Sequence, residues 1–258
     1  MTWIRVVGRQ CTAVCVLAGV VGVGAGDADA QVAPSGPVDR PFLARHHTAA
    51  LGVVGLTSTI ALLPFDRAIT RALRAPGVQS HSGLRSTADV FNAAGGVGTV
   101  VTAASLLGVG LATRNATTTQ LGVRSVEALV IGATAGSLLK GVFGRQRPFV
   151  DERTPYVFAF GRGFNTPGRT SMPSGHTTAS FAVATALSQT MRIRAPRLAR
   201  VLTPLLYTSA TLVGVSRVFS GRHWASDVAG GALVGTLSGA LVTRNDVRVG
   251  ADGVHWRF

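Results

Sequence analysis

Six apolar runs divide the chain, separated by polar or basic stretches. Residues 46–65 contain no Asp, Glu, Lys or Arg, and residues 90–113 are charge-free and rich in Gly, Ala and Val. Shorter runs follow at 125–139, which includes Glu127, and at about 176–191, 201–216 and 228–243. No period-two alternation or hairpin signal stands out, and no internal repeat is visible. The pattern predicts an all-α protein, a helical bundle of about five or six apolar helices. Only the first two runs reach the ~20 residues that cross a bilayer comfortably. The others are short, with arginines at their ends that can snorkel to an interface. Gly230, Gly231, Gly235 and Gly239 provide small-residue spacing suited to close helix contact in lipid. The bundle is expected to be membrane-embedded; a soluble periplasmic bundle is the alternative.

The ends differ from the middle. Arg5 and Arg9 precede an uncharged, mostly apolar stretch over 10–26, and Ala28-Asp29-Ala30 forms an A-x-A pattern before Gln31. Residues 1–30 are thus expected to be a signal peptide or an uncleaved N-terminal anchor. Pro34, Gly36, Pro37 and Pro41 mark 31–45 as a linker. The helical domain is expected over 46–243, and 244–258 as a short polar C-terminal tail. Topology is contested by charge. The basic link from Arg192 to Arg200 belongs in the cytoplasm by the positive-inside rule, which puts the 140–176 and 217–227 regions on the outer face. Residues 31–45 are then cytoplasmic if 46–65 spans, whereas a cleaved secretory signal places them outside. The stretch 66–85, expected as a loop with Arg67, Arg71, Arg74 and Arg85, pulls in the opposite direction.

Composition narrows the class. The 258 residues are 47% hydrophobic with a mean hydropathy of +0.35, and the formal charge is +14. No basic helix with interleaved aromatics and no nucleic-acid module is present, so nucleic acid is not an expected partner. Cys11 and Cys15 both fall within 1–30, so a chain starting at Gln31 has no disulfide and no thiolate metal site. Of the 25 lysines and arginines, Lys140 is the one lysine. A compact ammonium in a chain that otherwise chooses arginine suggests a point charge placed against an oxyanion.

Three clusters carry candidate chemistry. Ser174-Gly175-His176 stands where an apolar run begins. A helix start gathers unpaired N–H groups and the positive end of the dipole, a seat for phosphate. Serine suits the cap, glycine lets backbone approach a ligand, and histidine can protonate a leaving group near neutral pH. Taken alone, the triplet is equally a plain helix cap. Lys140 to Pro148 reads K-x6-R-P; on one helix Lys140 and Arg147 would lie seven apart along a face until Pro148 stops it. Alone, this cluster also reads as a basic anchor at a membrane edge. Arg145 does not fit the spacing and receives no role. Ser216 to Asp227 reads S-R-x5-H-x3-D. If helical, His223 and Asp227 share a face, and an aspartate at hydrogen-bond distance would hold the imidazole in one tautomer. A metal-ligand pair or a surface salt bridge is the alternative, but no second His/Asp/Glu cluster with suitable spacing accompanies it.

Together, K-x6-R-P, P-S-G-H and S-R-x5-H-x3-D, complete and in order over 140–227, resemble the type 2 phosphatidic acid phosphatase superfamily. That family also holds bacterial non-specific acid phosphatases and vanadium haloperoxidases. The resemblance covers about a third of the chain. It implies a PAP2-like helical catalytic domain in 46–243. It implies His223 as nucleophile with a phosphohistidine intermediate, Asp227 as its orienting partner and His176 as general acid. Lys140, Arg147, Ser174, Gly175 and Arg217 would bind phosphate. No metal or cofactor is implied, vanadate being a phosphate mimic. The expected partner is a phosphorylated lipid in the membrane: phosphatidate, phosphatidylglycerol phosphate or undecaprenyl pyrophosphate. The expected location is the cell membrane with the site on its periplasmic face. A soluble acid phosphatase and a vanadate-dependent haloperoxidase are the alternatives. Asp151–Thr170 is expected to be a surface loop, or else a lid above the site. His46, His47, His81 and His255 lie outside the motifs and receive no role. Glu127 pairs with Arg124 at helical spacing.

Overall fold

The computed structural model describes residues 45–244, 246–250 and 253–257. The expected signal or anchor over 1–30 and nearly all of the 31–45 linker lie outside them. Helix α1 (Arg45–Leu62) passes through a 3-10 turn at Leu63–Phe65, where Pro64 sits, into α2 (Asp66–Leu73). A one-turn helix α3 (Pro76–Gln79) leads to α4 (Ser82–Ala93), a π-turn (Ala94–Gly98) and α5 (Thr99–Ala112). Then come α6 (Ala116–Phe143), α7 (Gly175–Arg194), α8 (Pro196–Phe219) and α9 (Ala225–Arg244). The chain ends in an antiparallel hairpin of β1 (Asp246–Gly250) and β2 (Gly253–Arg257), with Val247 opposite Trp256 and Val249 opposite Val254.

The all-α bundle agrees with the apolar pattern, and three local expectations change. The stretch 66–85 is not a loop: α2, α3 and the start of α4 occupy most of it. The tail holds a hairpin that was not foreseen, because its alternation runs for only five residues a strand. The spans are also longer than their uncharged runs. Among the described residues, five helical stretches are long and apolar enough to cross a membrane: 48–73, 82–112, 116–143, 196–219 and 225–243. Charged groups such as Arg124, Glu127 and Lys140 are carried inside the helices rather than ending them.

Helix α7 is the axis of the bundle, packed by α6, α8 and α9. It is not among the five apolar stretches, because its buried face is rich in hydroxyls: Thr177, Thr178, Ser180, Thr185, Ser188 and Thr190. A helix enclosed by protein needs no lipid-compatible surface. Helix α9 reaches it by a glycine stripe. A Cβ on Gly231, Gly235 or Gly239 would come within 2.6, 2.3 and 2.6 Å of the α7 backbone carbonyls of Ser174, Thr178 and Ala182. Gly230 is not part of that contact; its Cβ would meet Met172, Thr59 and Pro173 at ordinary distances of 3.5 Å or more. An apolar cluster of Leu106, Leu121, Val183, Leu187, Met191 and Leu202 fills the core away from the motif residues. Outside, Val53, Leu56, Val100, Leu138, Val201 and Leu205 are exposed, the face a bilayer would cover.

Turn chemistry brings the motifs to one end. Asn115 caps α6, its side chain accepting from Thr118 N at 2.9 Å. Gly144, with φ 53°, ends α6 in the left-handed conformation that favours glycine. The long helices alternate in direction, with Ala195 alone between α7 and α8, five residues between α8 and α9, and one long connection between α6 and α7. The end of α2, the starts of α4, α7 and α9, and the ends of α6 and α8 therefore share one side. The long connection 144–174 closes over it. It is a tied loop with 3-10 turns at Arg162–Phe164 and Pro167–Arg169 and a bridge between Arg145 and Phe158. Tyr156, Phe160 and Phe164 are exposed along it.

Candidate active site

Ser174 stands at the N-cap of α7 with extended backbone (φ −68°, ψ 115°), and its side chain makes no bond to the first-turn N–H groups. Its hydroxyl instead accepts from Thr177 Oγ1 at 2.9 Å, and its own N–H donates to the Asp227 carbonyl at 2.9 Å. The first turn of α7 is thus oriented by α9, with its N–H groups directed at the shared end of the bundle. Gly175 lies under Lys140: a Cβ there would be 3.7 Å from Lys140 Cε. His176 follows, and its Nε2 faces the π-turn, 2.8 Å from where a Cβ on Gly96 would sit.

The cations come from three elements. Lys140 is in the last turn of α6 and donates to the Pro173 carbonyl. Arg147 is not on that helix. Gly144 ends α6 first, and Arg147 reaches the site from the loop, held by Thr170 Oγ1 at 3.1 Å and the Thr170 carbonyl at 3.2 Å. The shared helical face expected for Lys140 and Arg147 is therefore corrected: loop closure, not helix periodicity, unites them. Arg217, at the end of α8, donates from Nη1 to Asn92 Oδ1 at 2.8 Å, while its Nε is buried without a hydrogen-bond partner. A buried donor without an acceptor suits an anion. Lys140, Arg147 and Arg217 all act electrostatically on His176, and the first two on His223.

His223 precedes α9 rather than lying in it, and is 2% exposed. Its Nδ1 is 2.7 Å from the Ser171 carbonyl and 3.7 Å from Asp227 Oδ2. The expected direct bond to Asp227 is thus corrected: Nδ1–H donates to the Ser171 carbonyl, which leaves the Nε2 lone pair free. Burial, then the charges of Lys140 and Arg147, lower the His223 pKa to about 4 despite Asp227, so the ring is neutral at pH 7. Asp227 is at the third position of α9 and reaches back to Trp224 N at 2.9 Å, half of a capping box. It also accepts from Ser171 Oγ at 2.5 Å and from Arg145 Nη1 at 2.6 Å.

Arg145, given no role from its spacing, is fully buried. Besides Asp227 it bonds Asp66 Oδ2 at 2.6 Å, Ser226 Oγ at 2.6 Å and the Pro155 carbonyl at 2.8 Å, flanked by the Phe158 and Trp224 rings. Removing one partner from such a buried pair costs ~3–5 kcal/mol. Sequence reasoning also missed Asp66, Ser171, Ser226 and Asn92. Arg145 was visible inside the first motif. Asp66 looked like an ordinary charge ending an apolar run, and only packing brings it to Ser226, whose N–H it accepts at 2.8 Å. Helix ends and loop closure bring the eight motif residues to one end of the bundle.

The PAP2 superfamily profile matches residues 121–249, half of the chain. The lipid A 1-phosphatase of Porphyromonas gingivalis is 45% identical over 71 residues, which is 28% of this chain and 15% of that protein. Lipid phosphate phosphatase 1 of Arabidopsis thaliana is 36% identical over 138 residues, 45% of this chain and 42% of its own length. The acid phosphatase of Zymomonas mobilis is 33% identical over 96 residues, 37% and 33% of the two. The chain thus spans less than half the length of each of these relatives. Two solved structures share the fold. A transmembrane PAP2 type phosphatidylglycerolphosphate phosphatase from Bacillus subtilis aligns with TM-score 0.58 at 21% identity, over 76% of this chain and 93% of that one. Aquifex aeolicus LpxE aligns with TM-score 0.51 at 22% identity, over 69% and 94%. The long apolar helices of the present chain, exposed on their outer faces, make it a membrane-embedded bundle. With three complete motifs gathered at one end of that bundle and the family profile covering them, the chain belongs to the PAP2 superfamily.

Proposed function

We propose that this protein is a metal-independent phosphatase that cleaves a lipid phosphate or pyrophosphate through a phosphohistidine on His223. The observation that carries the reading is the buried, neutral His223, its Nδ1–H engaged by the Ser171 carbonyl and its other nitrogen free beside a cation cluster. In the first step the His223 Nε2 lone pair attacks phosphorus. The bond from phosphorus to the leaving oxygen breaks, and His176 gives that oxygen a proton. In the second step water attacks phosphorus, the P–N bond breaks, and His176 takes the proton of the water. Lys140, Arg147 and Arg217, with Ser174 and the Gly175 N–H, hold the phosphoryl oxygens. Phosphoryl transfer asks mainly for such positioning and charge stabilisation. Among the described residues no group of three or more His, Cys, Asp and Glu gathers into a metal-ligand set.

The names of the relatives and the apolar surface support a lipid substrate: phosphatidate, phosphatidylglycerol phosphate or undecaprenyl pyrophosphate. The α7–α8 junction, with Arg192, Arg194, Arg197 and Arg200, lies at the opposite end of the bundle from the site. With that end cytoplasmic by the positive-inside rule, the site opens on the periplasmic face.

The test is phosphate release by the full chain in detergent, wild type and His223→Ala, with EDTA throughout. The substrates are the three lipids and a small soluble ester. Lipid turnover in the wild type, lost in the variant, is the expected result. Turnover of the soluble ester alone would make it an acid phosphatase of wide specificity. Phosphate release by His223→Ala at the wild-type rate would overturn the mechanism.

A further inference from the structure

Arg145 creates an electrostatic problem that Asp66 solves. A catalytic imidazole gains from a neighbouring carboxylate because the negative charge stabilises its cationic form. Here Asp227 is in contact with a guanidinium at 2.6 Å, which by itself would cancel that charge as seen from His223. The same guanidinium is held on its other side by Asp66, also at 2.6 Å, and all three side chains are fully buried. With both carboxylates ionised, two against one guanidinium leave the cluster with one net negative charge.

Both ends of Arg145 bear on His223. The side chain orients Asp227. The backbone carbonyl accepts from Ser171 N at 3.1 Å, and Ser171 in turn gives its own carbonyl to His223 Nδ1. Asp66 fixes the side chain from α2, with Ser226 N and Oγ donating to its two oxygens at 2.8 and 2.5 Å. We propose that Asp66 is a positioning residue: acting through Arg145, it keeps Asp227 oriented and the cluster net negative, so that the imidazolium of the phosphorylated His223 is stabilised. This rests on the reading of His223 as the nucleophile.

The other charged groups around His223 are cations or neutral. They are Lys140 on α6, Arg147 in the loop after it, and, farther out, Arg217 on α8, Arg222 before α9 and His176 on α7. Arg74 at the end of α2, beside Gly221, is paired with Glu152 at 2.5 Å, and Asp227 of the buried cluster is the negative group that acts directly on His223.

The experiment uses the full chain in detergent with ¹⁵N-labelled histidine. It compares wild type, Asp66→Asn, Ser226→Ala and the double variant Asp66→Asn/Arg145→Gln. Asp66→Asn removes one charge at constant shape. It should lower kcat about tenfold with KM within about twofold, and move the acid limb of kcat/KM and the His223 ring titration about one unit lower. Ser226→Ala loses a hydrogen bond but no charge, and should leave the limb in place. The double variant restores the net charge, and its limb should return to the wild-type position. Asp66→Asn that lowers Tm while kcat and the titration stay put would reduce Asp66 to a structural residue and overturn the proposal. A limb shift equal in Ser226→Ala would do the same. If Asp66→Asn does not fold, the double variant decides: a limb one unit below wild type overturns the proposal, an unmoved limb supports it. If the wild type hydrolyses no phosphate ester, the proposed reaction falls, while an unmoved ring titration in Asp66→Asn separately overturns the positioning role.

Discussion

The Ser171 carbonyl and His223 Nδ1, 52 residues apart in the chain, meet at 2.7 Å. The aspartate four residues after the histidine is 3.7 Å away and turned to other donors. The tautomer of His223 is therefore set by backbone in the loop that closes the site, and the carboxylate acts on the ring through space. His223 keeps a neutral ring far into acid for the same reason: it is enclosed by loop and helix.

That enclosure sets a pH dependence. With the His223 pKa lowered to about 4, its neutral form persists well below pH 6.5. Burial, then the charges of Arg217, Lys140 and Arg147, lower the His176 pKa to about 4 as well, so both rings are neutral at pH 7 in the free enzyme. The profile of kcat/KM should show an acid limb near pH 4 with no basic limb from His176. An acid limb at the ordinary histidine value would contradict the buried geometry. Linkage carries the same sign. The unfolded chain takes up this proton at about 6.5 and the folded one only near 4, so stability is full above 6.5 and falls as pH drops between the two. Thermal melts of the wild type from pH 7 to 4 should show this loss, and His223→Gln should lessen it.

Gly95 and Gly96 sit side by side in the π-turn and should fail in different ways. A Cβ on Gly96 meets His176 Nε2 at 2.8 Å, while one on Gly95 meets Val213 Cγ1 at 2.1 Å in the α8 packing. Gly96→Ala should lower kcat roughly tenfold by displacing the acid while Tm changes little. Gly95→Ala should lower Tm. Equal effects of both on kcat and Tm would show that the π-turn serves packing alone.

Asn92 positions Arg217 and also accepts from Ser216 Oγ at 3.1 Å. Asn92→Ala should leave the guanidinium loose and weaken inhibition by orthovanadate, a phosphate mimic, by about tenfold, the size of one charge-assisted hydrogen bond. Vanadate inhibition identical to wild type would remove Asn92 from the site.

The glycine stripe of α9 gives a stability contrast. Gly235→Ala puts a methyl 2.3 Å from the Thr178 carbonyl, where backbone must move, and should cost ~1–3 kcal/mol. Gly230→Ala meets only ordinary contacts and should be neutral or slightly stabilising. Melting temperatures of the two variants in one detergent check the order.

Much of this was legible before folding. Lys140, Arg147, Ser174, Gly175, His176, Arg217, His223 and Asp227 are legible because three complete motifs, each within a short stretch, resemble those of the PAP2 superfamily. Six helices followed from six apolar runs, and the role of Gly231, Gly235 and Gly239 from their spacing. Arg145 was passed over because it lies two residues from a motif position, and spacing cannot show that a side chain turns inward. Asp66 and Asn92 were silent because a single polar residue at the end of an apolar run looks like any other boundary. The hairpin after α9 was missed because two five-residue strands offer too little alternation to detect.

The sequence by itself determined what is local: the apolar runs that become helices, the cap position at Ser174, and which residue types could hold and attack a phosphate. Only the tertiary structure decided which groups touch. It put the Ser171 carbonyl on His223, Arg145 between two carboxylates from different helices, and the polar α7 at the centre of an apolar bundle. The physical reason is burial. A hydroxyl, an arginine or an aspartate is unremarkable in a sequence, because water would satisfy it; inside the bundle each must find its partner in another segment, and those obligatory pairings build the site.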